Sequence, residues 1–173
     1  MTAIDNTPEN KNFLSPLNFR FQIKKAPHVN FFLQKVNIPS IQLRQIDTSN
    51  PFVTIPYSGD HVNYGTLEIT FKVDEDLTNY LEIHNWIREL GAPDNFDEYK
   101  RIESRESYTG EGIVSDISLI VLASTKTPNY DITYRDAFPI SLSALTFLTT
   151  DSSVNYIEAS ATFKYTLFDI TKI

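Results

Sequence analysis

Ile157-Glu158-Ala159-Ser160-Ala161-Thr162-Phe163-Lys164-Tyr165-Thr166-Leu167-Phe168 decides the fold. Ile157, Ala159, Ala161, Phe163, Tyr165 and Leu167 alternate with Glu158, Ser160, Thr162, Lys164 and Thr166. A period of two is that of a β-strand, whose side chains point alternately to opposite faces. The stretch therefore predicts one long, unbroken strand with a dry face and a wet face. Upstream, Leu67, Ile69, Phe71 and Val73 alternate strictly with Glu68, Thr70 and Lys72. Phe19, Phe21 and Ile23 do the same with Arg20, Gln22 and Lys24. Asn30 to Ile38 predicts a further strand, stopped by Pro39. Ile117 to Leu122 is a mostly apolar run, Ile132 to Tyr134 a short candidate, and Ile140 to Phe147 a longer one. Asp151-Ser152-Ser153 predicts a turn before the last strand.

One segment has the other period. From Asp76 to Leu90, Leu77, Tyr80, Leu81, Ile87 and Leu90 form a stripe at helical spacing, widened by Ile83 and Trp86. Asp74 or Asp76 is placed to cap the helix and complement its dipole, and Gly91 and Pro93 stop it. His84 falls on the stripe and is expected to be a packed or boundary residue rather than a ligand.

Two segments fit neither period. Ser40 to Tyr64 contains Pro51, Pro56 and Gly59 and reads as irregular, yet it carries Ile41, Leu43, Ile46, Phe52, Val53, Ile55 and Tyr57. A loop of that length inside a compact domain is usually functional. Either it holds short strands of its own, or it is buried against another chain. Residues 95–112 are highly charged and read as an exposed insertion, and residues 1–12 as a mobile N-terminal arm.

The whole predicts a mostly β chain: an antiparallel sandwich or barrel of about seven strands with one inserted helix, a single domain over 1–173. A long amphipathic strand at a sheet edge invites aggregation. Pairing with a second copy in a closed ring removes the edge and leaves a wet wall. An isolated sandwich with a solvated outer face gives the same alternation.

Chemistry finds no foothold. The chain has no cysteine, so disulfides and thiolate metal sites are excluded. His28, His61 and His84 sit in unrelated segments without a His, Asp or Glu three or four residues away. Glycine-rich phosphate loops and the G-x-S-x-G nucleophile elbow are absent. The acidic pairs Asp74/Asp76 and Asp97/Glu98 lie at a helix start and in a charged loop, where dipole effects and solvation account for them. We therefore expect no catalytic, cofactor-binding or metal residues. No apolar run is long enough to span a membrane, and no secretory signal is visible. A net charge of −7 disfavours tight binding of nucleic acid. It suits solubility, or a surface past which nucleic acid slides.

In order and spacing, several short motifs resemble the tail-tube proteins of contractile-tailed, T-even-like phages. Ile38-Pro39 ends an early strand, Ile55-Pro56-Tyr57 is a Pro-containing apolar segment, and Gly59-Asp60 a Gly-Asp element. Leu67 to Phe71 follows as an alternating strand, then Asp74-Glu75-Asp76 leads to a helix carrying Trp86. Near the end, Phe138-Pro139 resembles an aromatic-Pro turn, followed by strands at Ser141 to Thr150 and Ile157 to Phe168. Two places depart from the family pattern. His61 stands where a basic residue is expected, and 95–112 is longer and more charged than the family needs.

The resemblance implies a subunit of hexameric rings stacked into a hollow tube. DNA would pass through the lumen without specific binding, and tail sheath and baseplate proteins would be partners. The place implied is the virion tail, assembled in the host bacterial cytoplasm. On this resemblance Ile46, Phe52, Ile55 and Tyr57 are interface candidates between subunits or rings. Arg20, Glu68, Lys72, Glu158 and Lys164 are candidates to face the lumen. Related tube elements (a baseplate initiator, a terminator, the tube of a secretion machine) share these features, and a stand-alone β-sandwich binding module is the alternative of another kind.

Overall fold

The computed structural model describes residues 11–91, 113–149 and 156–173. The charged insertion, 95–112, and residues 1–10 of the arm lie outside the described residues. Those described form β1 (Phe19–Ile23), α1 (Pro27–Phe32), β2 (Leu33–Val36), β3 (Ile41–Ser49), β4 (Thr54–Tyr64), β5 (Leu67–Lys72), α2 (Thr78–Gly91), β6 (Ser115–Leu122), β7 (Pro128–Leu142), β8 (Glu158–Lys164) and β9 (Leu167–Lys172).

Two long stretches of chain make the frame. β7 runs antiparallel to β8 and then to β9: Leu142 lies opposite Ala161, Phe138 opposite Lys164, Arg135 opposite Leu167 and Tyr130 opposite Lys172. Both partners bend at the same level. On β7 the bend is at Asp136, a non-glycine residue at φ 55°. Opposite it, the Thr166 N–H donates to the Arg135 carbonyl at 3.0 Å. A bend in an antiparallel ribbon lets one strand serve two sheet faces. β6 and β1 flank the first half of the ribbon, β5 and β2 the second, giving a seven-stranded sheet in the order β1-β6-β7-β8-β5-β2 with β9 beside β7. The outermost strands, β1 and β2, are joined by α1, which touches both β1 and β5. The sheet thus curls towards a barrel, with α1 and α2 packed against it.

The dry faces meet in one core. Phe21 and Ile23, Ile117 and Leu119, Ile132 and Tyr134 come from one half, and Leu67, Ile69, Phe71, Ala159, Ala161 and Phe163 from the other. Ile83 and Trp86 of α2 complete it. Burying one large apolar side chain contributes about 1.5–3 kcal/mol, so this contiguous cluster dominates the stability. Trp86 packs on Phe163 with ring centroids 6.0 Å apart and donates its indole N–H to the Ile113 carbonyl at 3.0 Å.

Several sequence expectations are corrected. Asn30 to Ile38 is not one strand: α1 ends at Phe32 and β2 holds only Leu33–Val36. Pro27 starts α1 in its first turn, where a missing N–H costs nothing. Asn30 then folds back on β1, accepting from the Ile23 N–H at 2.8 Å and donating to its carbonyl at 3.1 Å. The final strand is not unbroken, since Tyr165 and Phe168 are the buried residues on either side of the bend and Leu167 only extends the alternation by chance. Phe138-Pro139 is not a turn but lies inside β7. Pro139 is tolerated there because that half of β7 is a sheet edge. The strand expected to reach Thr150 ends at Leu142.

In α2, the buried line is Asn79, Ile83 and Trp86, while Leu81 and His84 are exposed. The residues assigned to the edge of the stripe are its centre. Asp74 and Asp76 precede the first turn and do not lie in it. The helix start is held instead by Asn79, which donates to the Lys72 carbonyl at 2.8 Å and accepts from the Asp74 N–H at 3.4 Å.

Candidate assembly surface

Ser40 to Tyr64, read as irregular chain that either holds short strands of its own or is buried against another chain, is a β-hairpin. β3 and β4 pair with each other and with no other described strand. Asn50 makes the turn: its side-chain carbonyl accepts from the Phe52 and Val53 N–H groups, both at 2.9 Å. An Asx-turn of this kind replaces backbone partners at a hairpin tip. It leaves Phe52 96% exposed, a large apolar ring held out in water.

Midway, Arg44 alone on β3 stands opposite Gly59, Asp60 and His61 on β4, between the Leu43–Val62 and Gln45–Ser58 pairs. This bulge requires Gly59. A Cβ there would collide with the Arg44 carbonyl oxygen and lie 3.0 Å from its carbon. The Gly-Asp element is therefore a backbone device. Next to it, His61 hydrogen-bonds Asp60 through Nδ1.

The bulge also explains why alternation was illegible in this segment. Below it, Ile41 pairs with Tyr64 and Leu43 with Val62; above it, Ile46 pairs with Tyr57 and Thr48 with Ile55. By the two-residue period, Ile41 and Leu43 share one face of β3 and Ile46 and Thr48 the other. The apolar side therefore changes face along the hairpin. The base rests on the body: Tyr64 is half-buried, with its ring 5.5 Å from Phe168 and 6.1 Å from Tyr165. The four interface candidates, Ile46, Phe52, Ile55 and Tyr57, are all exposed and lie outside the core of the described residues.

The hairpin stands on a cluster of aromatic rings at the bend of the ribbon. Tyr134 and Tyr165 pack edge to face at 5.1 Å, and Phe168 touches both. The Tyr134 and Tyr165 hydroxyls are buried with no hydrogen-bond partner among the described residues. Burial, and then the neighbouring Tyr64, pushes the Tyr165 phenol up to about 12. Burial raises Tyr134 further.

Of the five lumen candidates, four share one surface. Glu68 and Lys72 on β5, and Glu158 and Lys164 on β8, project from the wet face of the same strand pair, with Lys72 directly opposite Glu158. Lys72 Nζ also lies 4.5 Å from the centre of the Tyr156 ring. Arg20 is on the wet face of β1, in the other half of the sheet. Two acids and two bases on one face make it mixed in charge, not acidic.

A feature missed in the sequence is an apolar hollow of about 400 Å³ lined by Phe13, Leu14, Ile38, Tyr130, Ile132 and Ile170, among others. It lies beside the hairpin base, and Phe13 at its rim is 97% exposed. Phe13 and Leu14 stand outside any alternating run, so only the fold brings them to Tyr130 and Ile170. Among the described residues no three His, Asp or Glu side chains gather as a metal site, and no helix is long and apolar enough to cross a membrane.

No curated protein sequence matches the chain. Solved structures match its fold. A chain in the structure of the anti-feeding prophage's tube terminating cap aligns over 100% of both chains with a TM-score of 0.62 at 11% identity. A chain of the sheath-tube complex of PVC, an extracellular contractile injection system, aligns over 94% of each with a TM-score of 0.59 at 13% identity. A chain of the PVC sheath/tube terminator aligns over 94% of this chain and 99% of that one, with a TM-score of 0.58 at 14% identity. The family model for phage tail tube proteins matches residues 7–171. With an all-but-complete family match and a fold shared with contractile injection system assemblies, the chain belongs to the phage tail tube protein family and is a structural protein, not an enzyme.

Proposed function

We propose that this chain is the repeating subunit of a phage tail tube, closing into hexameric rings that stack into a hollow conduit for DNA. The observation that carries the reading is the exposed hairpin. Ile46, Phe52, Ile55 and Tyr57 leave its outer half with an apolar surface that no described part of the chain covers. Exposed apolar patches of this kind mark interaction sites. Sheet edges at β1, β2, β9 and the second half of β7 supply hydrogen-bonding groups for lateral closure. The mixed-charge wet face of β5 and β8 would line a lumen without gripping phosphate, since tight binding needs a surplus of Lys and Arg. Sheath and baseplate proteins are the outer partners in this reading. The tail is its place, built in the host cytoplasm.

A second reading is a tube terminator or initiator, favoured by the full-length alignment with a tube terminating cap. Electron microscopy of the purified protein over a range of concentrations separates the two. Long hollow tubes support the main tube subunit, and single rings that never elongate support a terminator or initiator. Monomers at every concentration, confirmed by sedimentation, would count against a self-assembling main tube subunit and favour a tube adaptor or a stand-alone binding module.

A further inference from the structure

We infer that a hollow at the foot of α2 binds a primary alkylammonium group, with Asp74 and Glu75 drawing the charge and the rings of Phe32, Phe147 and Tyr156 bordering the aliphatic chain. The inference goes beyond the tube reading and does not depend on it.

The hollow lies where the chain leaves β5 for α2. It measures about 520 Å³, within the roughly 300–1,000 Å³ of small-molecule sites. Phe32 from the end of α1, Leu77 from the turn before α2, and Phe147 and Tyr156 from the chain between β7 and β8 supply apolar walls. Phe147 and Tyr156 are exposed, so the core does not claim them. Charge sets this hollow apart from the one beside the hairpin base. That one has no Asp, Glu, Lys, Arg or His in its lining. This one has Lys72, Asp74 and Glu75, which leaves it one negative charge in excess.

One ammonium is already seated here. Lys72 Nζ lies 4.5 Å from the centre of the Tyr156 ring, a cation on an aromatic face. Glu158 stands opposite Lys72 in the β5–β8 register. Asp74 has no such partner. One of its carboxylate oxygens is buried and accepts no hydrogen bond among the described residues, so this oxygen does not cap α2. His28 feels the Asp74 charge but is hydrogen-bonded to Glu82. A carboxylate partly stripped of water and unpaired is costly, and a cation beside it offsets that cost. The aliphatic stem of an amine would meanwhile displace water from the apolar walls. A divalent metal ion suits the hollow less well. No three His, Asp or Glu side chains gather among the described residues, and apolar walls offer no oxygen ligands.

The turn that carries Asp74 is fixed in advance. The Asp74 carbonyl accepts from the Leu77 N–H at 3.1 Å, and the Asp74 N–H donates to the Asn79 side chain at 3.4 Å. Leu77 is held at φ 57°, a left-handed conformation that side chains disfavour. Strain of this kind persists where the surroundings impose it, and it gathers at ligand clamps. A wall ordered beforehand lowers the entropy cost of binding.

Saturation-transfer nuclear magnetic resonance on the full-length chain tests this, because it reads weak ligands whether or not the chain has assembled. Cadaverine, a five-carbon diamine, is expected to bind saturably, and pentanol, its neutral counterpart, at least tenfold more weakly. Asp74→Asn should weaken cadaverine about tenfold, the loss of one charge-assisted contact. Asp76→Asn removes the same charge outside the lining and should leave binding unchanged. Phe147→Ala should weaken cadaverine and pentanol alike, with urea unfolding confirming that each variant is folded. Binding of Nα-acetyl-lysine methylamide as well would extend the occupant to a lysine side chain of a partner, and its failure would confine the site to free amines; the inference stands in both cases. Equal binding of pentanol, equal loss in Asp74→Asn and Asp76→Asn, or no saturable cadaverine signal would each overturn it.

Discussion

Two antiparallel strand pairs in this chain are built from similar residues and meet opposite fates. β5 and β8 put Leu67, Ile69, Phe71, Ala159, Ala161 and Phe163 on one face, and every one of them is buried. β3 and β4 put Ile41, Leu43, Ile46, Ile55, Tyr57 and Val62 along their length, and every one of them is exposed. Composition does not separate the pairs; a covering layer does. Behind β5 and β8 stand α2 and the other half of the sheet, whereas no described element covers the outer half of the hairpin. Apolar surface left in water at this scale favours association.

Substituting one ring in each pair breaks the comparison most sharply. Phe163→Ala removes a fully buried ring packed on Trp86 and should lower unfolding free energy by about 3–5 kcal/mol. Trp86 is the only tryptophan and is 2% exposed, so urea unfolding followed by its fluorescence reads the loss directly. Phe52→Asp with Ile55→Asp should leave that transition within about 0.5 kcal/mol, as surface changes usually do, while abolishing rings and tubes in micrographs. A cooperative loss of the Trp86 signal in the hairpin variant would make Phe52 and Ile55 core residues. Tubes that persist would remove them from any interface.

Gly59→Ala tests whether the hairpin is a rigid unit. The new methyl collides with backbone, not with a yielding side chain, so the β3–β4 ladder must shift. We expect amides from Ile41 to Tyr64 to exchange with solvent at least tenfold faster, assembly to fail, and the Trp86 transition to stay in place. Unchanged exchange in the hairpin would show that the bulge absorbs the methyl.

The contrast also explains what the sequence could and could not reveal. Strands at Phe19–Ile23, Leu67–Lys72 and Glu158–Lys164 were legible because each keeps one face on the core throughout. Strict alternation records that. The hairpin was hidden because its bulge moves the apolar set to the other face, and because Pro51, Pro56 and Gly59 look like breakers. The interface candidates Ile46, Phe52, Ile55 and Tyr57 were still visible as too much apolar surface for a solvated loop. The bend at Asp136 and Thr166 left no mark, since Leu167 prolongs the pattern across it. Nor did the hollow beside the hairpin base, whose lining is gathered from five separated parts of the chain. The second half of α1, Asn30 to Phe32, was read as strand because the helix's single buried residue, Val29, sets no helical period.

Beneath the hairpin, the unpartnered hydroxyls make a smaller and opposite prediction. The Tyr134 hydroxyl is buried without a hydrogen bond among the described residues, a cost the folded chain carries. Tyr134→Phe keeps the edge-to-face packing on Tyr165 and should leave stability unchanged or raise it by about 1 kcal/mol. Near-ultraviolet absorbance in alkali would then show one fewer late-titrating phenol, since burial raises the Tyr134 pKa. A loss of stability on removing the hydroxyl would mean that an internal water, held between Tyr134 and Tyr165, satisfies it.

The smallest effect belongs to the clasp between the two helices. His28 of α1 contacts Glu82 of α2 twice, through its ring Nδ1 and through its backbone N–H at 3.2 Å. The Glu82 hydrogen bond and charge hold the His28 pKa above its ordinary value. A folded-state pKa above the unfolded one stabilises the folded chain fully below the unfolded value, and the gain is lost as pH rises through the folded value. The clasp should therefore weaken as pH climbs upward from about 6.5, the unperturbed histidine value. Nuclear magnetic resonance titration of the His28 ring in the native chain and in Glu82→Gln reads this locally. The pKa should fall in the variant. If His28 titrates identically in both chains, Glu82 does not set its charge, and the hold of α1 on α2 rests on packing alone.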